Sequence, residues 1–329
     1  MMMQLMRPAA LALILALSLF ASQSYGQLKV GFYKGKCGSA DVEAIVAGVI
    51  KQRFAADPTI LPALLRLHFH DCFVSGCDAS ILLDGDDSEK MAGPNQSVRG
   101  YEVIDAVKAA VEKRCPGLVS CADIIALATR DAVVLGKGSR YNEQTGRRDG
   151  RVSNSADAQN GLPGPDVAVS QLVRLFSRKG LTASDAVLLL GAHTVGITHC
   201  SFITDRLYDF QNTGRPDPSM DPALARALRR TCPQAATVDS PVNLDQNVSS
   251  SNTVDASFYR QLQLRRGILE IDQNLASDVL TRQSVSALAS GAVDFQASFG
   301  KAMIKMGSIG VLTGQKGEIR KSCRAINRR

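Results

Sequence analysis

Eight cysteines follow an N-terminal export signal, and that combination limits this chain more than any other feature. Arg7 supplies the positive leader, Ala10 to Phe20 form an eleven-residue apolar run, and small and polar residues follow up to Gly26. The run is too short to span a bilayer, and no second run of spanning length exists. Residues 1–26 therefore read as a secretory signal and residues 27–329 as one exported domain. Export exposes thiols to oxidising conditions, so the even set Cys37, Cys72, Cys77, Cys115, Cys121, Cys200, Cys232 and Cys323 predicts four disulfides. Spacing alone suggests only Cys72–Cys77. No C-x-x-C pair occurs, which argues against structural zinc.

With 45% hydrophobic residues, the chain can bury a large core. Apolar residues recur at helical spacing in residues 41–54, where Val42, Ile45, Val46, Val49 and Ile50 share a face. The same period marks the segment with Val103, Ile104 and Val107, and residues 122–135, 169–176, 184–190, 221–229, 257–264 and 295–306. Thr182-x-x-Asp185 has the form of a capping box. Strand-like alternation is scarce. The expectation is a mainly α protein of about ten helices. Long polar connections at 141–166, 212–222 and 232–252 suggest functional or stapled loops. The net charge of +7 is dispersed, which suits either an acidic polysaccharide partner or plain solubility. Few aromatics accompany it, so nucleic-acid binding has no support.

Two segments carry chemistry. In Arg66-Leu67-His68-Phe69-His70-Asp71-Cys72, a helix places Arg66 and His70 at i and i+4 on one face, with Phe69 beside them. His68 points away, so the two histidines cannot share a metal. Such an Arg–His pair is often structural; in an open site it suits removal of a proton followed by stabilisation of negative charge. Directly after it, Asp71, Asp78 and Ser80 offer side-chain oxygens, and Val74 and Gly76 offer carbonyls. Hard oxygens on a turn closed by Cys72–Cys77 suit calcium; the other reading is an ordinary acidic helix end. The second segment is Gly191-Ala192-His193-Thr194-Val195-Gly196. A lone histidine after an apolar run is ordinarily a core residue, but its small neighbours suggest room for a flat cofactor against the imidazole, and histidine is an axial ligand of haem iron. No C-x-x-C-H occurs, so any haem is held non-covalently.

These segments resemble the secreted class III haem peroxidases of plants. So do Ser120-Cys121-Ala122-Asp123-Ile124, Thr145-Gly146-Arg147-Arg148-Asp149-Gly150, Asp205-Arg206-Leu207-Tyr208 and Leu312-Thr313-Gly314. The matches keep the family's order across nearly all of residues 27–327. The resemblance implies the helical plant peroxidase fold, with one b-type haem between a distal and a proximal half. It implies Arg66, Phe69, His70 and Asn95 on the distal side, His193 as axial ligand with Asp272 behind it, and Pro163 at the donor-binding haem edge. It implies a distal calcium on Asp71, Val74, Gly76, Asp78 and Ser80 with Glu89 connected, and a proximal calcium on Thr194, Asp245 and Asp255. It also implies the disulfides Cys37–Cys115, Cys72–Cys77, Cys121–Cys323 and Cys200–Cys232. The activity implied is oxidation of small phenolic donors by hydrogen peroxide, in a secreted monomer of the extracellular space or cell wall.

There are departures. The loop from Asp245 to Asp255 is two residues longer than the family's and lacks its Thr-Pro; Ser249 or Ser250 is the replacement ligand expected there, with Ser250 preferred. The stretch after Asn95 is one residue short. Thr59 stands where an arginine that anchors haem is common, and Tyr141 replaces a tryptophan. Two sequons occur, Asn95-Gln96-Ser97 and Asn247-Val248-Ser249; Asn247 is the expected acceptor if Asn95 is buried against His70. The chain contains no tryptophan, so a tryptophanyl radical route to bulky donors is closed. A non-catalytic, calcium-stabilised wall protein that binds acidic polysaccharide is the alternative function, and a catalase-like enzyme would need a tyrosine ligand instead of His193.

Overall fold

The computed structural model describes residues 28–328; the expected signal lies outside them. Among the described residues there are thirteen α-helices and two short antiparallel strand pairs. The helices are α1 Val42–Ala56, α2 Ile60–Phe73, α3 Tyr101–Glu112, α4 Cys121–Leu135, α5 Ser155–Gly161, α6 Val169–Arg178, α7 Ala183–Leu190, α8 Thr204–Tyr208, α9 Pro222–Thr231, α10 Ser257–Gln263, α11 Glu270–Leu275, α12 Arg282–Ser290 and α13 Phe295–Met306. The strands are β1 Lys29–Val30 paired with β2 Gln144–Thr145, and β3 Ile197–His199 paired with β4 Pro241–Asn243.

The distal half forms around α4, which is buried over almost its whole length and packs against α1, α2 and α3. Ser120 starts α4 by accepting the Asp123 N–H, and Asp41 starts α1 by accepting that of Ala44. In α1 the buried face is Val42, Val46 and Ile50, the spacing expected. The proximal half packs α7 against α13 and α10 against α12. Thr182 and Asp185 form the complete capping box at the head of α7.

The helices beyond the expected ten are short. In α5 only Ala158 is buried, and its start depends on Asn154 accepting two backbone N–H groups. A helix with so little apolar face leaves no periodic signature. This one, with β2, also gives structure to part of the stretch read as a polar connection.

The glycines around His193 serve a different end from the one expected. Gly191 does not leave room for a cofactor: an added Cβ would lie 2.2 Å from the Tyr259 hydroxyl and 2.7 Å from Phe295 Cε2. Tyr259 is buried and donates to the Val187 carbonyl on α7 (3.0 Å). Gly196, at φ +93°, lets Pro62 of α2 approach, with an added Cβ 2.8 Å from the proline Cβ. Both glycines thus make packing between elements possible. Gly191→Ala is expected to lower stability by about 1–3 kcal/mol through overpacking. Thermal unfolding of the folded variant tests this, and an unchanged midpoint would reject the steric account.

The cysteines pair as Cys37–Cys115, Cys72–Cys77, Cys121–Cys323 and Cys200–Cys232. Beyond α13 the chain returns along the distal half. Cys77 N–H donates to the Ile309 carbonyl (2.9 Å), and Asp149 and Glu318 exchange backbone hydrogen bonds. The buried Arg320 donates to the Ala79 carbonyl (2.6 Å). Gly76 and Gly310 cross so closely that a Cβ on the first would lie 2.7 Å from the carbonyl oxygen of the second.

Candidate active site

The last two turns of α2 present Arg66, Phe69 and His70. His70 is buried, and its Nδ1 lies 2.5 Å from Asn95 Oδ1. The Asn95 amide nitrogen donates to the Glu89 carbonyl (2.8 Å), which fixes which end of the amide faces the imidazole. An oxygen facing Nδ1 requires the proton there, so Nε2 carries the lone pair. Burial, reinforced by the Arg66 charge and opposed by the Asn95 hydrogen bond, pushes the His70 pKa down to about 3. It is therefore a neutral base at ordinary pH. Asn95 is buried with both side-chain groups engaged, whereas Asn247 is only partly buried.

Arg66 donates from Nε to His70 Nε2 (3.3 Å), from Nη1 to Ser97 Oγ (3.0 Å) and from Nη2 to the Pro94 carbonyl (2.8 Å). The sequence reading missed Ser97 and the Pro94 carbonyl. Phe69 packs edge-on to His70 and against Phe73. At the head of α2, Arg99 donates to the Thr59 hydroxyl (3.2 Å) and to Asp57 (3.1 Å), so a cation reaches the position where the expected arginine is missing.

His193 sits in the 3-10 turn Gly191–Thr194 that continues α7. Its Nδ1 is 2.9 and 3.0 Å from the two oxygens of Asp272, a fully buried carboxylate on α11. Burial alone would lower the pKa of His193; the Asp272 charge outweighs it and raises it. Nδ1 is committed, so Nε2 points away from the carboxylate, available to a metal. The turn packs against α2, and the Arg66 charge bears on both His193 and His70. The two imidazoles therefore stand on elements that pack together, and this donor set fits a cofactor that takes one imidazole nitrogen as a metal ligand. Pro163 lies in the turn after α5, where the Pro165 carbonyl accepts from Ile271 N–H, next to Asp272 in sequence. His68 is buried with neither ring nitrogen hydrogen-bonded; it faces Cys72 and Cys77, whose sulfurs are joined to each other.

The acidic turn after α2 holds buried oxygens with no partner: Asp71 Oδ1, Ser80 Oγ and both Glu89 oxygens. Burial raises the pKa of Asp71, Asp78 and Glu89, the last to about 8. Each orphaned buried group costs about 1–3 kcal/mol, and a set of such oxygens on one turn fits a hard cation. The Val74 carbonyl accepts from Lys179 Nζ (3.0 Å), and the Gly76 carbonyl from Asp78 N–H (2.7 Å). A second oxygen cluster surrounds Thr194 Oγ1: Asp245 Oδ2 at 3.5 Å, Asp255 Oδ1 at 3.4 Å and the Thr253 carbonyl at 3.3 Å. The Ser250 hydroxyl is engaged by the Asn247 amide, and Ser249 donates to Asn247 Oδ1. Thr253, which the sequence reading passed over, contributes the loop oxygen nearest Thr194.

A family model described as "Peroxidase" matches residues 46–291. Peroxidase 60 of Arabidopsis thaliana is 53% identical over 318 residues, 96% of this chain and 95% of the relative. Peroxidase 57 of the same plant is 51% identical over 323 residues, covering 98% and 100%. Peroxidase 5 of Vitis vinifera is 44% identical over 305 residues, 92% of each chain. Agreement of this degree along essentially the full length of both partners leaves one assignment: the chain belongs to the class III plant peroxidases and is a peroxidase enzyme.

Proposed function

We propose that the chain oxidises small phenolic donors with hydrogen peroxide, using His70, Arg66 and Asn95 to break the peroxide bond, with His193 as the residue that would hold haem iron. Family membership brings the haem cofactor, the peroxide oxidant and a reducing donor. One observation carries the finer reading. The two histidines stand on elements that pack together, each with Nδ1 committed to an oxygen acceptor, Asn95 for one and Asp272 for the other. Haem, when bound, would supply the redox chemistry that couples two-electron reduction of peroxide to one-electron oxidation of donors. His70, neutral with its lone pair on Nε2, takes a proton from one peroxide oxygen and returns it to the other, which leaves as water. Arg66, fixed by Ser97 and the Pro94 carbonyl, stabilises the charge that develops as that bond breaks. Asp272 makes the His193 ring a stronger donor. Pro163 would border the place where phenolic donors give up single electrons.

An absorption spectrum before and after peroxide tests this, followed by turnover of a phenolic dye. A Soret band that shifts with peroxide and returns with the dye is expected; a purified chain without one, even after haem is supplied, would overturn the reading. The signal and the disulfides favour a secreted, extracellular enzyme, which we take to act as a monomer. No helix among the described residues is long and apolar enough to cross a membrane.

Two calcium ions complete the proposal, one at Asp71, Val74, Gly76, Asp78 and Ser80 with Glu89 beside it, the other at Thr194, Asp245, Asp255 and the Thr253 carbonyl. Ser250 is not needed as a ligand in this scheme. The distal turn is closed by a disulfide, whereas the proximal loop is longer and has lost its Thr-Pro. Affinity follows ligand charge and rigidity, so the proximal ion is expected to leave first on stepwise chelation. Its loss should alter the haem spin state before turnover falls, because Thr194 adjoins His193. Metal content, spectrum and turnover followed together decide it; simultaneous release of both ions would contradict the prediction.

A further inference from the structure

Three lysines, Lys29, Lys34 and Lys36, lie shortly before Cys37, and Lys113 and Arg114 directly precede Cys115. The disulfide between those cysteines, with Cα atoms 5.4 Å apart, brings the two basic stretches side by side. All five side chains are exposed, and none takes part in an ion pair among the described residues. The neighbouring acids are already engaged. Glu112 is bound by Lys108 Nζ (2.7 Å) and the Gly117 N–H (2.8 Å), Glu43 by Arg130 (2.6 Å), and Asp41 caps α1. Asp41 borders the same shallow depression as Arg114. Lys36 has its ammonium 3.2 Å from the centre of the Phe32 ring, and its pKa is lowered by burial and then by repulsion from Lys29.

We propose that this patch is a docking surface for a linear polyuronate, a polysaccharide with a carboxylate on each sugar. The proposal rests on the reading of the chain as exported. Adjacent unpaired cations focus a positive field and concentrate a polyanion. Lysine ammonium groups on flexible stems are mobile point charges that follow a repeating carboxylate without demanding one register. The other polyanions fit less well. Lys36 covers one face of Phe32 and Tyr33 is buried, so no free ring is offered for stacking on bases. Val30 is the one large apolar side chain exposed in the basic N-terminal stretch, too little for an interfacial membrane anchor. None of the five cations belongs to the candidate active site, so docking leaves that site open.

The test uses the mature holoenzyme and polygalacturonate. One variant carries Lys34→Gln, Lys36→Gln, Lys113→Gln and Arg114→Gln. A second removes the same charge from scattered exposed positions, as Lys51→Gln, Arg226→Gln, Arg282→Gln and Lys301→Gln. At low salt the patch variant is expected to bind at least ~10-fold more weakly than wild type, with a shallower salt dependence, while the scattered variant stays within about twofold. Peroxide turnover of a soluble phenol is expected to be equal in all three. Equal weakening in both variants would mean that net charge alone acts, and unchanged binding in the patch variant would mean that the patch does nothing; either overturns the proposal. So would patch-dependent binding of phosphatidylglycerol vesicles or duplex DNA without binding of polygalacturonate. Retention of the chain inside cells would remove the export reading, while the comparison of the two variants would still decide the surface.

Discussion

His193→Ala is expected to yield a protein without stably bound haem. In the function proposed above the imidazole would be the axial ligand, and its Nδ1 is the partner of both Asp272 oxygens. Removing the ring deletes the bond and also strands a fully buried carboxylate, at a cost of about 1–3 kcal/mol or more. The substitution could therefore unfold the chain, so Asp272→Asn is the companion variant. It keeps a hydrogen-bond acceptor at the imidazole but removes the charge. It should bind haem with a raised iron reduction potential, because the ring becomes a weaker donor. The absence of a Soret band in His193→Ala, in protein whose circular dichroism matches wild type, is the expected result. A normal band would reject His193 as the ligand, and an unchanged potential in Asp272→Asn would reject the role given to Asp272.

The second large effect is kinetic. His70→Ala is expected to retain haem but to react with peroxide at least ~100-fold more slowly, the low end of what a positioned general base contributes. Asn95 should matter through His70 rather than by touching peroxide. Losing its oxygen frees the ring to take the other tautomer, which would put the proton where the lone pair is needed. Asn95→Ala should therefore slow the same step by a smaller factor. Stopped-flow formation of the first oxidised form measures both; a rate for His70→Ala within tenfold of wild type would remove His70 from the mechanism.

Parts of this site were legible in the sequence for a physical reason. Arg66 and His70 meet because a helix places i and i+4 side by side, and side-chain type alone says what such a pair can do. Asn95, Asp272 and the disulfide partners other than Cys72–Cys77 came from resemblance, since no local rule links residues so far apart in sequence. What stayed hidden was mostly backbone. The Thr253 and Pro94 carbonyls carry no residue signature, and any side chain could have stood at either position to offer them. Ser97 looked like part of a sequon and proves to hold Arg66. The glycines beside His193 were visible, but their purpose depended on Tyr259 and Pro62, which only the folded arrangement brings to them.

The return of the chain beyond α13 has a consequence for the order of events during synthesis. Residues 309–323 brace the turn at Gly76–Ser80 through backbone bonds, Arg320 and the Gly76–Gly310 crossing. Cys121 waits for a partner 202 residues later. A chain emerging from its N-terminus can fold α1 to α4 early, but this half lacks its brace until the final segment has arrived. Contacts of such long sequence separation form slowly. The half that holds Arg66 and His70 is thus the first to be made and the last to be completed, so a chain interrupted near its end carries both side chains without the framework that braces their surroundings.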